Sequence, residues 1–296
     1  MKQPIELRRL RDFGQTINDS FTFLKENFKP LFRALFIICG FFILISIFSM
    51  VFTYLNTTNA LTSAINIDTN SYDSSYKPWA IIITALIGAF IIILTQAFIT
   101  LVTLCYISVY LQKNNVTPTL PEIWGYFKYY FWRVLGSGII IFFLLVIGTM
   151  LCLIPGIYLM PILYLIIPII VIENSSFSYA FNKSFRLIKN NWWLVFGVIF
   201  IMSLIVALAG SIVNIPISIF IKGGMFLSLK TFTLPVIIIF SVLRSILLLA
   251  YVLPSIAICL CYFNLAEEKD GTGLLNRIDK LGKPNNDQSD LPAADY

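Results

Sequence analysis

Four stretches of at least 32 residues in this 296-residue chain contain no Asp, Glu, Lys or Arg: residues 34–67, 78–112, 134–172 and 190–221. A helix needs about 20 apolar residues to cross a hydrocarbon layer of roughly 30 Å, and every one of these runs exceeds that length. Charged residues make up only 12% of the chain, against roughly 25% in soluble domains. The fold class expected is an all-α integral membrane protein.

The third run holds 39 residues, about 58 Å as one helix, nearly twice a bilayer core. It must therefore turn, and Pro155-Gly156 is the turn signal. This predicts spans at roughly 134–153 and 157–172. The second, marked by Pro161 and Pro168, is short, and we read it as a full crossing. The others are expected at roughly 32–54, 80–112, 193–216 and 233–264, six in all. Lys and Arg then set the orientation. Seventeen lie in 1–33, 113–133, 183–189 and the tail after 264, whereas the complementary loops hold only Lys77, Lys222 and Lys230. Both termini are expected in the cytoplasm, as an even number of spans requires.

A repeat organises these spans. Apolar residues spaced i, i+4, i+8, i+11, i+15 occur as Phe13, Ile17, Phe21, Leu24, Phe28; as Val116, Leu120, Trp124, Phe127, Phe131; and as Phe177, Phe181, Phe185, Ile188, Trp192. Each copy holds a Lys at one place: Lys25, Lys128, Lys189. The spacing keeps one helix face apolar, with Asp12, Asn18, Asp19, Lys25 and Glu26 on the other face of copy one, and Asn182, Lys183, Arg186 and Lys189 in copy three. Copy two differs, with Pro121 and Glu122 where the others have Asn and then Asp or Lys. Such helices are expected to lie in the membrane interface. The lipid-interface residues are Lys25, Lys128, Lys189, Arg186, Trp192 and Trp193. Phe52, Pro155 and Pro216 each follow their Lys by 27 residues, so the Lys marks the inner surface and the break the outer one. The expected architecture is six transmembrane helices as three hairpins, each preceded by a cytoplasmic-side amphipathic interfacial helix. One membrane domain over 1–264 holds repeat units at about 12–112, 115–173 and 176–264. Residues 265–296 form an acidic cytoplasmic tail in which Leu274, Leu275, Ile278 and Leu281 make a short amphipathic turn, with disorder beyond Lys283.

Chemistry-bearing patterns are few. The chain has no histidine, which removes the commonest general base and metal ligand. Cys39, Cys105, Cys152, Cys259 and Cys261 all lie in apolar segments and are expected to pack as small hydrophobes. No paired carboxylates, Gly-rich phosphate loop or nucleophile triad stands out, so no catalytic residue, metal or cofactor is expected. Arg244 is the one charge inside the last apolar stretch, and with Gln96 it is the candidate intramembrane site. Tyr262 lies 18 residues on, about 27 Å along a helix, which puts Arg244 at the outer interface. Thr231 to Leu243 becomes surplus length, expected to be tilted or broken at Pro235. Thr95, Gln96, Thr100 and Thr103 form a polar stripe, read as helix–helix hydrogen bonding. Glu122 and Glu173 are read as solvated ion-pair members. The basic N-terminus leads into an amphipathic segment rather than an apolar core with a cleavage site, so it is expected to be retained. The polar loop 56–77 is expected to be solvated and contains the acceptor triplet Asn56-x-Thr58.

At the third unit the residues carry a family likeness. Ile154-Pro155-Gly156-Ile157-Tyr158, then Pro168 and Val171-x-Glu173, then Ala180-Phe181-x-x-Ser184-x-x-Leu187-x-Lys189, and at the end Tyr262-Phe263-Asn264-Leu265, resemble the membrane domain of bacterial glycerophosphoryl diester phosphodiesterases. The likeness covers most of residues 12–282 and its motifs are structural. It implies a membrane domain without the separate catalytic barrel of those enzymes, so hydrolysis is not expected here. The function expected is that of a non-enzymatic scaffold or accessory factor of the cytoplasmic membrane. Its partners would be membrane lipids and a protein partner or second copy, not nucleic acid. The alternative is a small transporter or lipid-handling protein.

Overall fold

The computed structural model describes residues 6–65, 78–151, 153–226 and 230–271. Every regular element among them is helical. Helix α1 (Phe13–Glu26) opens on a capping box: the Asp12 carboxylate accepts from the Gln15 N–H at 2.7 Å, and the Gln15 side chain accepts from the Asp12 N–H at 3.4 Å. These bonds satisfy donors that the first turn leaves open. Asn27 then bends the chain into α2 (Phe28–Ile65). There follow α3 (Pro78–Gln112), α4 (Leu120–Leu151), α5 (Leu153–Glu173), α6 (Phe177–Ile188), α7 (Trp192–Phe226) and α8 (Lys230–Leu247). A 3₁₀ turn (Leu248–Tyr251) leads into α9 (Val252–Asp270). Asparagines in the left-handed region stop α3 (Asn114, φ 53°), α5 (Asn174, φ 51°) and α6 (Asn190, φ 80°), a conformation their short amide tolerates.

Six segments are long and apolar enough to cross a membrane: Phe28–Thr57, Ile82–Gln112, Leu120–Met150, Ile154–Glu173, Trp192–Pro216 and Pro235–Asp270. α2 packs along α3, α4 along α5 and α7 against α8, while α8 also reaches α2. Helix α9 holds the centre, touching α1, α3, α5, α6 and α7. Over 252–266 every α9 residue except the half-buried Pro254 is buried, the environment an all-round apolar helix requires. Burial is densest in the halves near α1 and α6, including 98–110 of α3 apart from Thr100. The other halves expose Ile82, Leu86 and Phe90 on α3, Ile139, Phe143 and Ile147 on α4, and Leu204, Leu208 and Ile212 on α7. An apolar surface of that extent is at home in hydrocarbon rather than water.

Several local features differ from the sequence reading. α4 ends at Leu151 and α5 is under way by Leu153, so Pro155-Gly156 lies inside α5 rather than between the two helices. Pro155 sits in the first turn of α5, where a missing N–H has no partner to lose. Gly156 serves close approach: a Cβ there would overlap the Thr149 methyl and lie 3.1 Å from the Thr149 Cα and N. The second repeat copy is not a separate helix, because Leu120 to Phe131 are the first turns of α4. Gly125 lies within these turns in open space, but no left-handed residue interrupts them, so the helix simply continues. Similarly, α2 runs on to Ile65 through a polar stretch without Gly or Pro. The last span is broken at 248–251 rather than at Pro235. Pro254 cannot donate to the carbonyl of Ala250, and the backbone tightens just before it.

The inner-to-outer ruler does not hold in the third unit. Lys183 bonds Glu173 at one end of α5, and Trp192 Nε1 donates to the Tyr158 carbonyl at the other, at 2.9 Å. Helix α6 therefore returns alongside α5, covering the roughly 22 Å of helix between those two α5 residues. Trp192 and Tyr158, placed by spacing near opposite surfaces, are neighbours with stacked rings. Residues 66–77, Cys152 and the tail beyond 271 lie outside the described residues.

Candidate functional site: docked helices and their ion pairs

Helices α1 and α6 each have three faces, not two. On α1 the stripe residues Phe13 and Phe21 are exposed, and Asn18, Lys25 and Glu26 are exposed on another side. A third face, about a quarter-turn from the stripe, is buried: Thr16, Asp19, Ser20 and Phe23. In α6 the buried residues are Ala180, Ser184, Leu187 and Ile188. Thr16, Ser20 and Phe23 correspond to Ala180, Ser184 and Leu187, each 164 residues later. Small residues at Thr16, Ser20, Ala180 and Ser184 on these faces let α1 approach α9 and α7 and α6 approach α5. The Thr16 and Ser20 hydroxyls bond carbonyls of their own turn, at 2.8 and 2.7 Å, so burying them leaves no donor unmet.

The same register position carries an ion pair in all three copies. Asp19 Oδ2 meets Arg9 at 2.6 Å and Arg11 Nε at 2.7 Å; Glu122 meets Lys113 at 2.7 Å; Lys183 meets Glu173 at 2.6 Å. In each case the partner precedes the helix residue by eight to ten positions. Each unit is therefore tied back to the segment that enters it. The periodicity places Asp19 and Lys183 on the polar faces of their helices, and the structure turns both inward and pairs them. Glu122 is exposed enough to be a solvated partner, whereas Glu173 is only 21% exposed.

Around Asp19 the Arg11 side chain is completely buried. Its guanidinium also donates to the carbonyls of Leu7 (2.8 Å), Arg9 (3.2 Å) and Glu6, and its backbone N–H donates to Asn264 Oδ1 on α9 at 2.8 Å. Burial pushes the Arg11 pKa down, against the hydrogen bond and charge of Asp19. Around Lys183, Glu173 also accepts from the Tyr262 hydroxyl, and Asp270 lies 3.2 Å from the ammonium. Burial opposes the Lys183 charge, but the bond and charge of Glu173, then of Asp270, outweigh it and hold its pKa above the ordinary lysine value. Lys269 caps the end of α6 by donating to the carbonyls of Arg186 (2.6 Å) and Lys189 (3.1 Å), and Asn191 donates to Glu268 at 2.6 Å. A cavity of about 100 Å³ lies here, lined by Arg8, Glu173, Lys183, Tyr262 and Asp270 with three apolar neighbours. A second, open groove of about 800 Å³ lies at the elbow between α1 and α2, lined by Phe21, Leu24, Lys25, Glu26, Phe28, Lys29 and Pro30.

The residues singled out in the sequence are dispersed. Lys25 is exposed in the elbow groove. Lys128 lies over the Trp124 ring, 5.1 Å from its centroid. Lys189 is exposed at the end of α6, and Arg186, 62% exposed, reaches Asp270 at 3.5 Å. Trp192 is half-buried, while Trp193 is 77% exposed. Gln96 and Arg244 are both half-buried, on α3 and α8; no hydrogen bond joins them and neither lines either cavity. In the polar stripe, Thr95 and Thr103 bond their own helix, and Thr100 accepts from Ser255 of α9 at 3.1 Å. Cys39, Cys105, Cys259 and Cys261 are buried and free. Sequence reasoning missed Arg11, Tyr262 and Asp270. The available signal was the ionisable residue shared by positions 19, 122 and 183.

Fold and site together define an all-helical, multi-pass membrane protein with two short helices docked on its central helix. No family model, curated protein or solved structure matches the chain.

Proposed function

We propose that this chain is a non-enzymatic scaffold or accessory factor of the cytoplasmic membrane, built as three hairpins with both termini inside. The observation that supports it best is the all-round burial of α9 over 252–266. Buried ion pairs hold α1 and α6 beside it. A rigid hub of this kind presents a fixed lipid-facing surface that includes Trp132 and Trp193. The excess of Lys and Arg on the terminal side supports the orientation. The likeness to stand-alone phosphodiesterase membrane domains accords with a role by contact rather than by chemistry. The decisive experiment is reconstitution of the purified protein, with identification of what co-purifies in native lipids. The reading expects a stoichiometric protein partner and no solute or lipid flux. Flux that depends on Arg244 and Gln96 sinks it and promotes a transporter. One feature favours that second reading: the last span is an interrupted helix, as in transporters, broken at 248–251.

Because α6 lies along α5, an upright α5 would carry the charges of α6 into the apolar layer. A central Arg or Lys costs about 2.5–3.5 kcal/mol there, which favours a strongly inclined or re-entrant α5. An Ile154→Cys variant at the exposed hairpin tip is therefore expected to resist an impermeant thiol reagent added outside. Rapid labelling would restore the full crossing.

A further inference from the structure

We propose that the elbow between α1 and α2 is a binding site for an anionic glycerophospholipid. The inference builds on the membrane placement above and holds for a scaffold or a transporter alike. The elbow exists because the Asn27 backbone leaves helical geometry (φ −104°, ψ 13°) while its buried side chain accepts from the Tyr106 hydroxyl at 2.9 Å. The bend is thus braced from within by α3, and its outer side opens as the 800 Å³ groove.

Chemistry inside the groove is divided. Phe21, Leu24, Phe28 and Pro30 form an apolar wall, and Phe28 stacks on Phe32 with centroids 4.2 Å apart. Lys25 and Lys29 stand at its rim with Glu26, and the exposed Arg33 follows one turn along α2. Lys29 and Arg33, four residues apart, share one side of α2, and Lys25 at the end of α1 joins Lys29 across the elbow in lining the groove. None of the three makes an ion pair with another described residue. The other copies differ: Lys128 lies against an aromatic ring, and the end of α6 is occupied by Lys269. Three cations against one carboxylate suit a phosphate with a neutral or anionic head. The apolar wall suits the first methylenes of acyl chains and offers a free phosphate nothing, so the occupant is a membrane lipid.

The test uses the full chain in nanodiscs and counts retained lipids by native mass spectrometry. Wild type is expected to retain phosphatidylglycerol several-fold over phosphatidylcholine. Retention falls roughly five-fold for each cation removed in the series Lys25→Gln, Lys29→Gln, Arg33→Gln, while Lys128→Gln leaves it unchanged. Equal retention of the two lipids by wild type overturns the proposal without any variant needing to fold. Undiminished retention by the triple variant overturns it too. Displacement by millimolar inorganic phosphate would reassign the site to a soluble anion. None of these results depends on whether a partner co-purifies.

Discussion

Arg11→Met is expected to lower stability by about 3 kcal/mol, the lower end of what breaking a buried pair costs. Its guanidinium is fully buried and joins Asp19 to three carbonyls of the preceding segment. Methionine fills much of the volume, so the loss is electrostatic rather than a cavity. Leu7 and Glu6 lose an acceptor's partner, each costing about 1–3 kcal/mol where water cannot replace it. The exposed Arg9 still holds Asp19 at 2.6 Å, which keeps the effect from the upper end of the range. Adding Asp19→Leu should recover most of the loss, because an apolar pair replaces a buried ion pair at little cost. Thermal unfolding in detergent of the single and double variants checks both parts. A single variant within 1 kcal/mol of wild type would show that the N-terminal segment is not anchored through this residue.

Gly156→Val should be comparably damaging, about 3 kcal/mol, at the upper end of ordinary overpacking. The obstacle is the backbone of Thr149, which cannot move without parting α4 from α5. Gly148 faces the same contact, but a Cβ there meets the end of the Leu159 side chain at 3.3 Å, and Gly148→Ala should cost far less. The side chain chosen also separates two roles for Gly156. A glycine needed for a left-handed turn is replaced better by asparagine than by alanine. A glycine needed for close approach within a helix is replaced better by alanine, the smaller residue and better helix former. Melting curves of Gly156→Ala and Gly156→Asn decide, and the observed helix predicts that alanine is the milder change.

Legibility follows the range over which each feature is determined. Uncharged runs are read locally, so all six candidate spans were found, with edges shifted where α2 continues through 55–65 and where Pro254 breaks the last one. The stripe of copies one and three was equally visible, because 3.6-residue periodicity needs no knowledge of neighbours. The docking face was not. Thr16, Asp19 and Ser20 look like solvent residues to any hydropathy argument, and only the presence of α9 beside them makes them interior. The same holds for Lys183, which periodicity places on a polar face and only the presence of Glu173 and Asp270 makes a buried ion-pair member.

By itself the sequence determined the class of solvent and the count of helices, since apolar length against bilayer thickness is a property of one segment at a time. It also carries the thrice-occurring apolar spacing, with an ionisable residue at 19, 122 and 183. Tertiary structure alone decided what that spacing is for. Whether a polar residue faces water or an opposite charge depends on the segment packed against it, and in α1 and α6 that segment is another part of the chain. It likewise decided that α9 is the hub and that α6 lies along α5, because packing between helices distant in sequence leaves no periodic trace in either one.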